Sequence, residues 1–163
     1  MVIGSKHLLL AWALGASAAV LAAEHQHHQH QHQHQQHQQQ VGESLSLDHG
    51  KQWPTDQPLR DGMAAMRQSL AAQLPAINAG KLDKTGYAKL GQQIEAQVGK
   101  IVANCKLDPR TDAMLHPLLA DLLSGAAAMQ GKGGNAAAGA QQVVKALNNY
   151  GRYFQHPGWQ PLP

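Results

Sequence analysis

Residues 59–77, LRDGMAAMRQSLAAQLPAI, decide the fold, because their large apolar side chains recur every three or four positions. The recurring residues are Leu59, Met63, Met66, Leu70, Leu74 and Ile77. This spacing places them on one face of an α-helix, with polar or small residues on the other faces. The stretch therefore predicts an amphipathic helix that packs against a hydrophobic core.

Three further segments repeat this spacing, and no stretch alternates as a β-strand does. Their stripes are Tyr87, Leu90, Ile94, Val98, Ile101 and Cys105; Leu115, Leu118, Leu119, Leu122, Ala126 and Met129; and Ala140, Val143, Leu147, Tyr150 and Phe154. Residues suited to capping helices precede the four segments, namely Thr55 or Asp56, Asp83, Asp108 and Asn135. The sequence thus predicts an all-α fold, an antiparallel up-down four-helix bundle over residues 52–163. Pro75 and Pro117 fall inside two of these helices and should bend them.

Residues 1–23 have the pattern of a secretory signal peptide. Lys6 supplies a positive charge, residues 8–21 are apolar or small, and cleavage before Glu24 follows two alanines. The apolar run is shorter than the ~18–20 residues that a membrane-spanning helix needs. We therefore expect a cleaved signal, export to the periplasm and no stable membrane anchor after cleavage.

Residues 25–40 consist only of histidine and glutamine, seven of the first and nine of the second. A segment without apolar side chains cannot offset the entropy lost on ordering, so it predicts a disordered arm. Residues 41–51 continue as a polar linker. The expected organisation is a signal peptide (1–23), a His/Gln-rich arm and linker (24–51) and a helical domain (52–163).

The histidines of the arm are candidate metal ligands. They are His25, His27, His28, His30, His32, His34 and His37. Neutral imidazole, which dominates above about pH 6.5, suits divalent copper, nickel and zinc. Strict alternation from His28 to His34 places four imidazoles on one side of an extended chain. Cleavage would add the amine of Glu24 beside His25, so we expect exchangeable metal binding with little selectivity.

A second interpretation of the arm needs no metal. Histidine and glutamine codons differ at one base, so such a tract can expand by replication slippage and serve only as a hydrophilic spacer. The protein would then be a structural or protein-interaction bundle with an incidental tract.

Cys105 and His116 are candidate ligands of a second metal site, within the bundle. The end of the second helix and the start of the third should place both at one end of the bundle, and Asp112 precedes His116 by one turn. The plainer interpretation makes Cys105 a small buried apolar residue and His116 a histidine with a local partner.

Non-covalent haem is a third alternative, for which Met63, Met66 and His156 are the candidate ligands. The chain lacks the Cys-x-x-Cys-His motif of covalent attachment, and core methionine is the usual role, so we expect no haem. The aromatic tail that ends in Trp159 should fold back over a bundle end beside Trp53, or else form a patch for a partner.

Other function classes find little support. A net charge of +3, evenly spread, is too weak for a nucleic-acid surface, and one cysteine excludes a disulfide within the chain. There is no Ser/His/Asp order, no pair of catalytic carboxylates and no phosphate-binding loop. We therefore expect a binding protein rather than an enzyme.

Three segments carry a resemblance: IVANCKL (101–107), LHPLLADLL (115–123) and HPGW (156–159). They resemble a poorly characterised group of small exported proteobacterial four-helix proteins, some of them labelled after a denitrification-regulation locus. The resemblance covers about residues 52–160 and implies a bundle and export. It implies no particular activity or site residue, and the His/Gln tract lies outside it.

Overall fold

The computed structural model describes residues 45–163, which form four helices. They are α1 Gln57–Asn78, α2 Lys84–Asn104, α3 Pro109–Met129 and α4 Ala136–Tyr153. The predicted antiparallel four-helix bundle is confirmed, and the described residues contain only isolated bridges in place of strands. The expected signal peptide and all seven arm histidines lie outside the described residues. Across residues 45–163, no helix combines the length and apolar character needed to cross a bilayer.

Each helix begins at a side chain that accepts hydrogen bonds from the first turn. The four N-caps are Asp56, Asp83, Asp108 and Asn135, as the sequence predicts. Asp83, for example, accepts from the backbone N–H of Gly86 at 2.7 Å. Such a cap satisfies a backbone donor that has no partner within the helix, and it stabilises a helix by about 1 kcal/mol.

The four apolar stripes meet in one core. Leu59, Ile94, Leu122 and Leu147, one from each helix, are completely buried. Burial of a leucine or isoleucine side chain contributes about 1.5–3 kcal/mol, so the stripes supply most of the stabilisation. Pro75 and Pro117 lie inside α1 and α3, and both helices continue through them.

Consecutive helices pack against each other, and α1 also packs against α4. Helices α2 and α4 form the short diagonal of the bundle, whereas α1 and α3 do not meet. Helices α3 and α4 approach each other closely where Gly125 faces Gly139. A β-carbon on Gly139 would lie 2.6 Å from the carbonyl oxygen of Gly125, so this crossing requires a residue without a side chain.

The segments before α1 and after α4 pair through their backbones. Trp53 donates to the carbonyl of Tyr153, and Gln155 donates to the carbonyl of Trp53, both at 2.8 Å. Trp53 and Phe154 are buried beside this parallel bridge. The indole of Trp53 also donates to the carbonyl of Ser46 at 2.7 Å, which ties residues that precede the bundle to its end.

We predict that Gly139→Ala lowers the free energy of unfolding by about 1–3 kcal/mol, because the added methyl group forces α3 and α4 apart. The matched control is Gly99→Ala on the exposed face of α2, where an added β-carbon meets nothing within 4 Å. That variant should be more stable by up to about 1 kcal/mol, because alanine favours a helix interior. Urea unfolding followed by circular dichroism measures both changes. Equal stabilisation by the two substitutions would contradict the glycine contact between α3 and α4.

Candidate functional site

Several side chains that could take part in ligand binding or catalysis lie at one end of the bundle. The up-down order brings the start of α1, the end of α2, the start of α3 and the end of α4 together there. We call it the Asp56 end. It holds Asp56, Cys105 and the neighbouring pair Tyr150 and His156, which come from three parts of the chain.

Asp56 links α1 to the end of α2. One carboxylate oxygen accepts from the backbone N–H of Leu59 at 3.0 Å and from the thiol of Cys105 at 3.2 Å. The other oxygen accepts from the backbone N–H of Lys106 at 2.6 Å. Burial alone would raise the pKa of this carboxyl, but the hydrogen bonds outweigh it and hold the pKa below its usual value. Asp56 is therefore an ionised acceptor at neutral pH.

Cys105 is the C-cap of α2 and lies half-buried against the core. Burial raises its pKa to about 12, and the negative charges of Asp56 and Asp112 act in the same direction. The thiolate is the form that binds metals and attacks electrophiles, so Cys105 is a poor ligand and a poor nucleophile at neutral pH. Its contacts make it a hydrogen-bond donor that joins two helices.

His116 lies on the exposed side of α3. Its Nδ1 atom is 3.7 Å from an oxygen of Asp112, and both side chains are more than half exposed. This distance makes an ion pair when the imidazole is protonated but is too long for a hydrogen bond. Cys105 donates to Asp56, and His116 has Asp112 as its partner, so the two predicted ligands are engaged separately. Residues 45–163 contain no group of three or more His, Cys, Asp or Glu side chains placed to hold a metal ion.

The residues considered for haem have other contacts. Met63 and Met66 are buried in the core, where 0% and 1% of their surfaces are exposed. Nδ1 of His156 lies 2.9 Å from the hydroxyl of Tyr150. The two methionines therefore pack in the core, and His156 holds the C-terminal tail against it.

The aromatic tail does fold back, but its two tryptophans have different neighbours. Trp159 packs edge-on to Tyr150, with ring centroids 4.8 Å apart, and lies below the guanidinium of Arg67 at 5.9 Å. Trp53 instead pairs with Phe154 and lies beneath Arg110. Tyr150 stacks on Phe154, with ring centroids 5.5 Å apart, and so lies between the neighbours of the two tryptophans.

A groove of about 410 Å³ opens where α3 turns into α4. Its lining includes Ser124, Lys132, Gly133, Gly134 and Asn135. Asn135 already caps α4 by accepting from Ala138 at 3.0 Å, and Lys132 lies 3.7 Å from Glu95. These polar side chains therefore have partners within the protein.

Sequence reasoning missed the interactions that hold the tail. Asn148 makes two hydrogen bonds with the backbone of Leu162, and Arg67 donates from Nε to the carbonyl of Gln160. The sequence contains one indication of this contact: a large apolar residue, Leu162, lies close to the end of a polar, proline-rich segment. A tail with an apolar anchor is typical of a segment that packs on the domain.

We predict that Asp56→Asn speeds alkylation of Cys105 by about tenfold or more, since one pKa unit is a tenfold change in thiolate. Asparagine also caps helices, so the fold should persist. Iodoacetamide labelling followed by mass spectrometry gives the rate. In the parent protein this rate should still rise with pH above about pH 9, where an ordinary thiol levels off.

The matched control is Asp112→Asn, which removes a charge with a weaker effect on the pKa of Cys105 than that of Asp56. Its effect on labelling should be much smaller than that of Asp56→Asn. Equal rates in the parent protein and Asp56→Asn would show that the carboxylate does not hold the thiol protonated.

Comparison of the chain with protein-family models, curated protein sequences and solved structures finds no match. The resemblance of residues 101–107, 115–123 and 156–159 to small exported proteobacterial proteins stays a prediction from those segments. The function is therefore inferred from the residues of the chain itself.

Proposed function

We propose that the protein is an exported, periplasmic metal-binding protein that buffers divalent copper, nickel or zinc through its His/Gln-rich arm. One observation carries the proposal: seven histidines occur within residues 25–37, and the remaining residues of that stretch are all glutamine. Imidazole is the ligand common to these three metals. No other segment of the chain concentrates one chemically active side chain in this way.

The arrangement of the histidines supports shared coordination. His28, His30, His32 and His34 alternate with glutamine, so neighbouring imidazoles are two residues apart and can converge on one ion. The amine of Glu24, released by cleavage of the signal, supplies a further nitrogen beside His25. A ligand set without preset geometry binds in the general order of affinity, in which copper exceeds nickel and zinc.

The described part of the chain supports assigning metal binding to the arm rather than to the bundle. Cys105 is protonated at neutral pH because its pKa is about 12, and it donates to Asp56. His116 has only Asp112 beside it, and two exposed side chains do not complete the coordination of a transition metal. The bundle then serves as a folded carrier for the arm.

The route to the periplasm rests on the sequence. Residues 1–23 have the charge, apolar run and small residues of a signal peptide. Export would place the arm where metal enters the cell and would also create the amine at Glu24. Buffering of incoming metal is the task that such an exchangeable site suits.

The proposal predicts that replacing all seven arm histidines with glutamine removes most metal binding. Glutamine keeps the length and polarity of the arm, so the substitution tests the imidazoles alone. Calorimetric titration of purified protein with Cu(II), Ni(II) and Zn(II) should show stoichiometric binding to the parent. Binding to the variant should be weaker by about a hundredfold or more, because the loss of a single partner that only orients a ligand already costs about tenfold to hundredfold and here the ligands themselves are lost.

The matched control replaces His49, His116 and His156 with glutamine and keeps the arm. This protein should bind each metal as the parent does. If the control loses binding and the arm variant keeps it, the bundle is the site and the proposal is wrong.

Two further experiments address the alternative functions. If deletion of residues 25–40 leaves the metal tolerance of cells unchanged, the tract is a spacer on a structural bundle. A Soret band in protein purified from cells would instead indicate haem.

A further inference from the structure

The chain does not end with α4 but returns along the bundle. Residues 156–159 form a turn in which Trp159 donates to the carbonyl of His156 at 3.0 Å, with Gly158 in the left-handed region at a φ of 79°. The following residues lie against α1 and α4. We call residues 156–163 the C-terminal strap.

Two side chains anchor the strap. Leu162 is 5% exposed, and its backbone exchanges hydrogen bonds of 2.7 and 3.0 Å with the side chain of Asn148 on α4. The indole of Trp159 lies directly on Gly151, where a β-carbon would overlap Cδ1 and Nε1 of the ring. From α1, Arg67 adds a hydrogen bond to Gln160 and a cation–π contact with Trp159. The strap therefore fills the seam between α1 and α4.

The side chain of Trp159 is buried with one hydrogen-bond donor unpaired. Its indole N–H is buried and has no hydrogen-bond partner among residues 45–163. An unpartnered buried donor costs about 1–3 kcal/mol, which offsets part of the gain from burying the ring. The net free energy of docking is therefore smaller than the buried ring alone would give, and the loss of one further contact weakens docking noticeably.

His156 is the titratable residue of the strap, and its protonation state affects how well the strap docks. The hydroxyl of Tyr150 is completely buried, and burial raises its pKa, so the tyrosine keeps its proton. It donates that proton best to an unprotonated Nδ1 of His156, which lies 2.9 Å away. Protonation would turn Nδ1 into a donor and oblige the buried hydroxyl to direct its own proton elsewhere.

The charges around His156 also favour the neutral ring. Burial lowers the pKa of His156, and the positive charge of Arg60 on α1 lowers it further, against a weaker opposing effect of Asp61. From α4 it faces Tyr150, which is neutral, and its own strap places the ring of Trp159 at 4.9 Å. Because the docked pKa is lower than the ordinary value of 6.5, a released strap binds protons more readily than a docked one.

We propose that the C-terminal strap is a pH-responsive latch: it is docked between α1 and α4 while His156 is neutral and is released when His156 is protonated. The docking contribution of His156 is complete above pH 6.5. It weakens as the pH falls below that value and levels off once the docked histidine is also protonated. The latch does not depend on the metal-binding role of the arm.

Hydrogen exchange followed by NMR tests the latch on the whole purified protein. The amide of Leu162 reports docking directly, because it donates to the side chain of Asn148 on α4, whereas the amide of Trp159 donates to His156 within the strap and reports the turn that docking orders. Their protection, corrected for intrinsic exchange, should fall several-fold between about pH 7.5 and about pH 5. The amides of Ile94 and Leu122 in the core should stay protected over the same range.

His156→Asn is the decisive variant, because its side-chain oxygen can accept from Tyr150 but does not titrate. Protection of the strap should then be independent of pH. If it falls as in the parent protein, or if the parent shows no fall, the latch is wrong.

Gly151→Ala is the second variant, and it acts on the seat of Trp159 without touching a titratable group. The strap should lose protection at every pH while the core amides stay protected. A strap that remains protected in this variant would contradict the docking on which the latch depends.

Discussion

The backbone pairing of Trp53 with Tyr153 and Gln155 is the contact that joins the segment before α1 to the end of α4. Its two hydrogen bonds contribute only about 0.5–1.5 kcal/mol each, but they lie beside the buried rings of Trp53 and Phe154, which add far more. The pairing fixes where the chain enters α1 and where it leaves α4. Consequently Asp56 lies next to Cys105, and the strap starts its return close to α1.

Several polar residues of the bundle are hydrogen-bonded to one another. Asp56 accepts from Cys105 and from two backbone amides, Tyr150 pairs with His156, and Asn148 holds the strap. Ligands for an exchangeable metal must instead be accessible and not already paired. The sequence concentrates seven imidazole side chains in residues 25–37, outside the bundle. The proposed binding of metal and the proposed latch therefore use separate parts of the chain.

The features that the sequence predicted well are local. The stripe from Leu59 to Ile77 follows from helical periodicity, and the cap at Asp83 follows from the chemistry of one side chain and the turn after it. The contact between Asp56 and Cys105 could not be predicted, since 49 positions separate them and periodicity does not identify the residue opposite. The same holds for Leu162 and Asn148. For His116, the sequence placed Asp112 beside it but could not show that both are exposed.

A Zn(II) titration of the intact protein, followed by ¹H–¹⁵N NMR, shows whether the arm or the bundle binds metal. We expect the signals of the arm histidines, residues 25–37, to shift or broaden as zinc is added. The amide signals of α1 to α4 and of Cys105 should stay where they are. Changes centred on Cys105 and His116, with the arm signals unaltered, would place the metal in the bundle and rule out the proposed role of the arm.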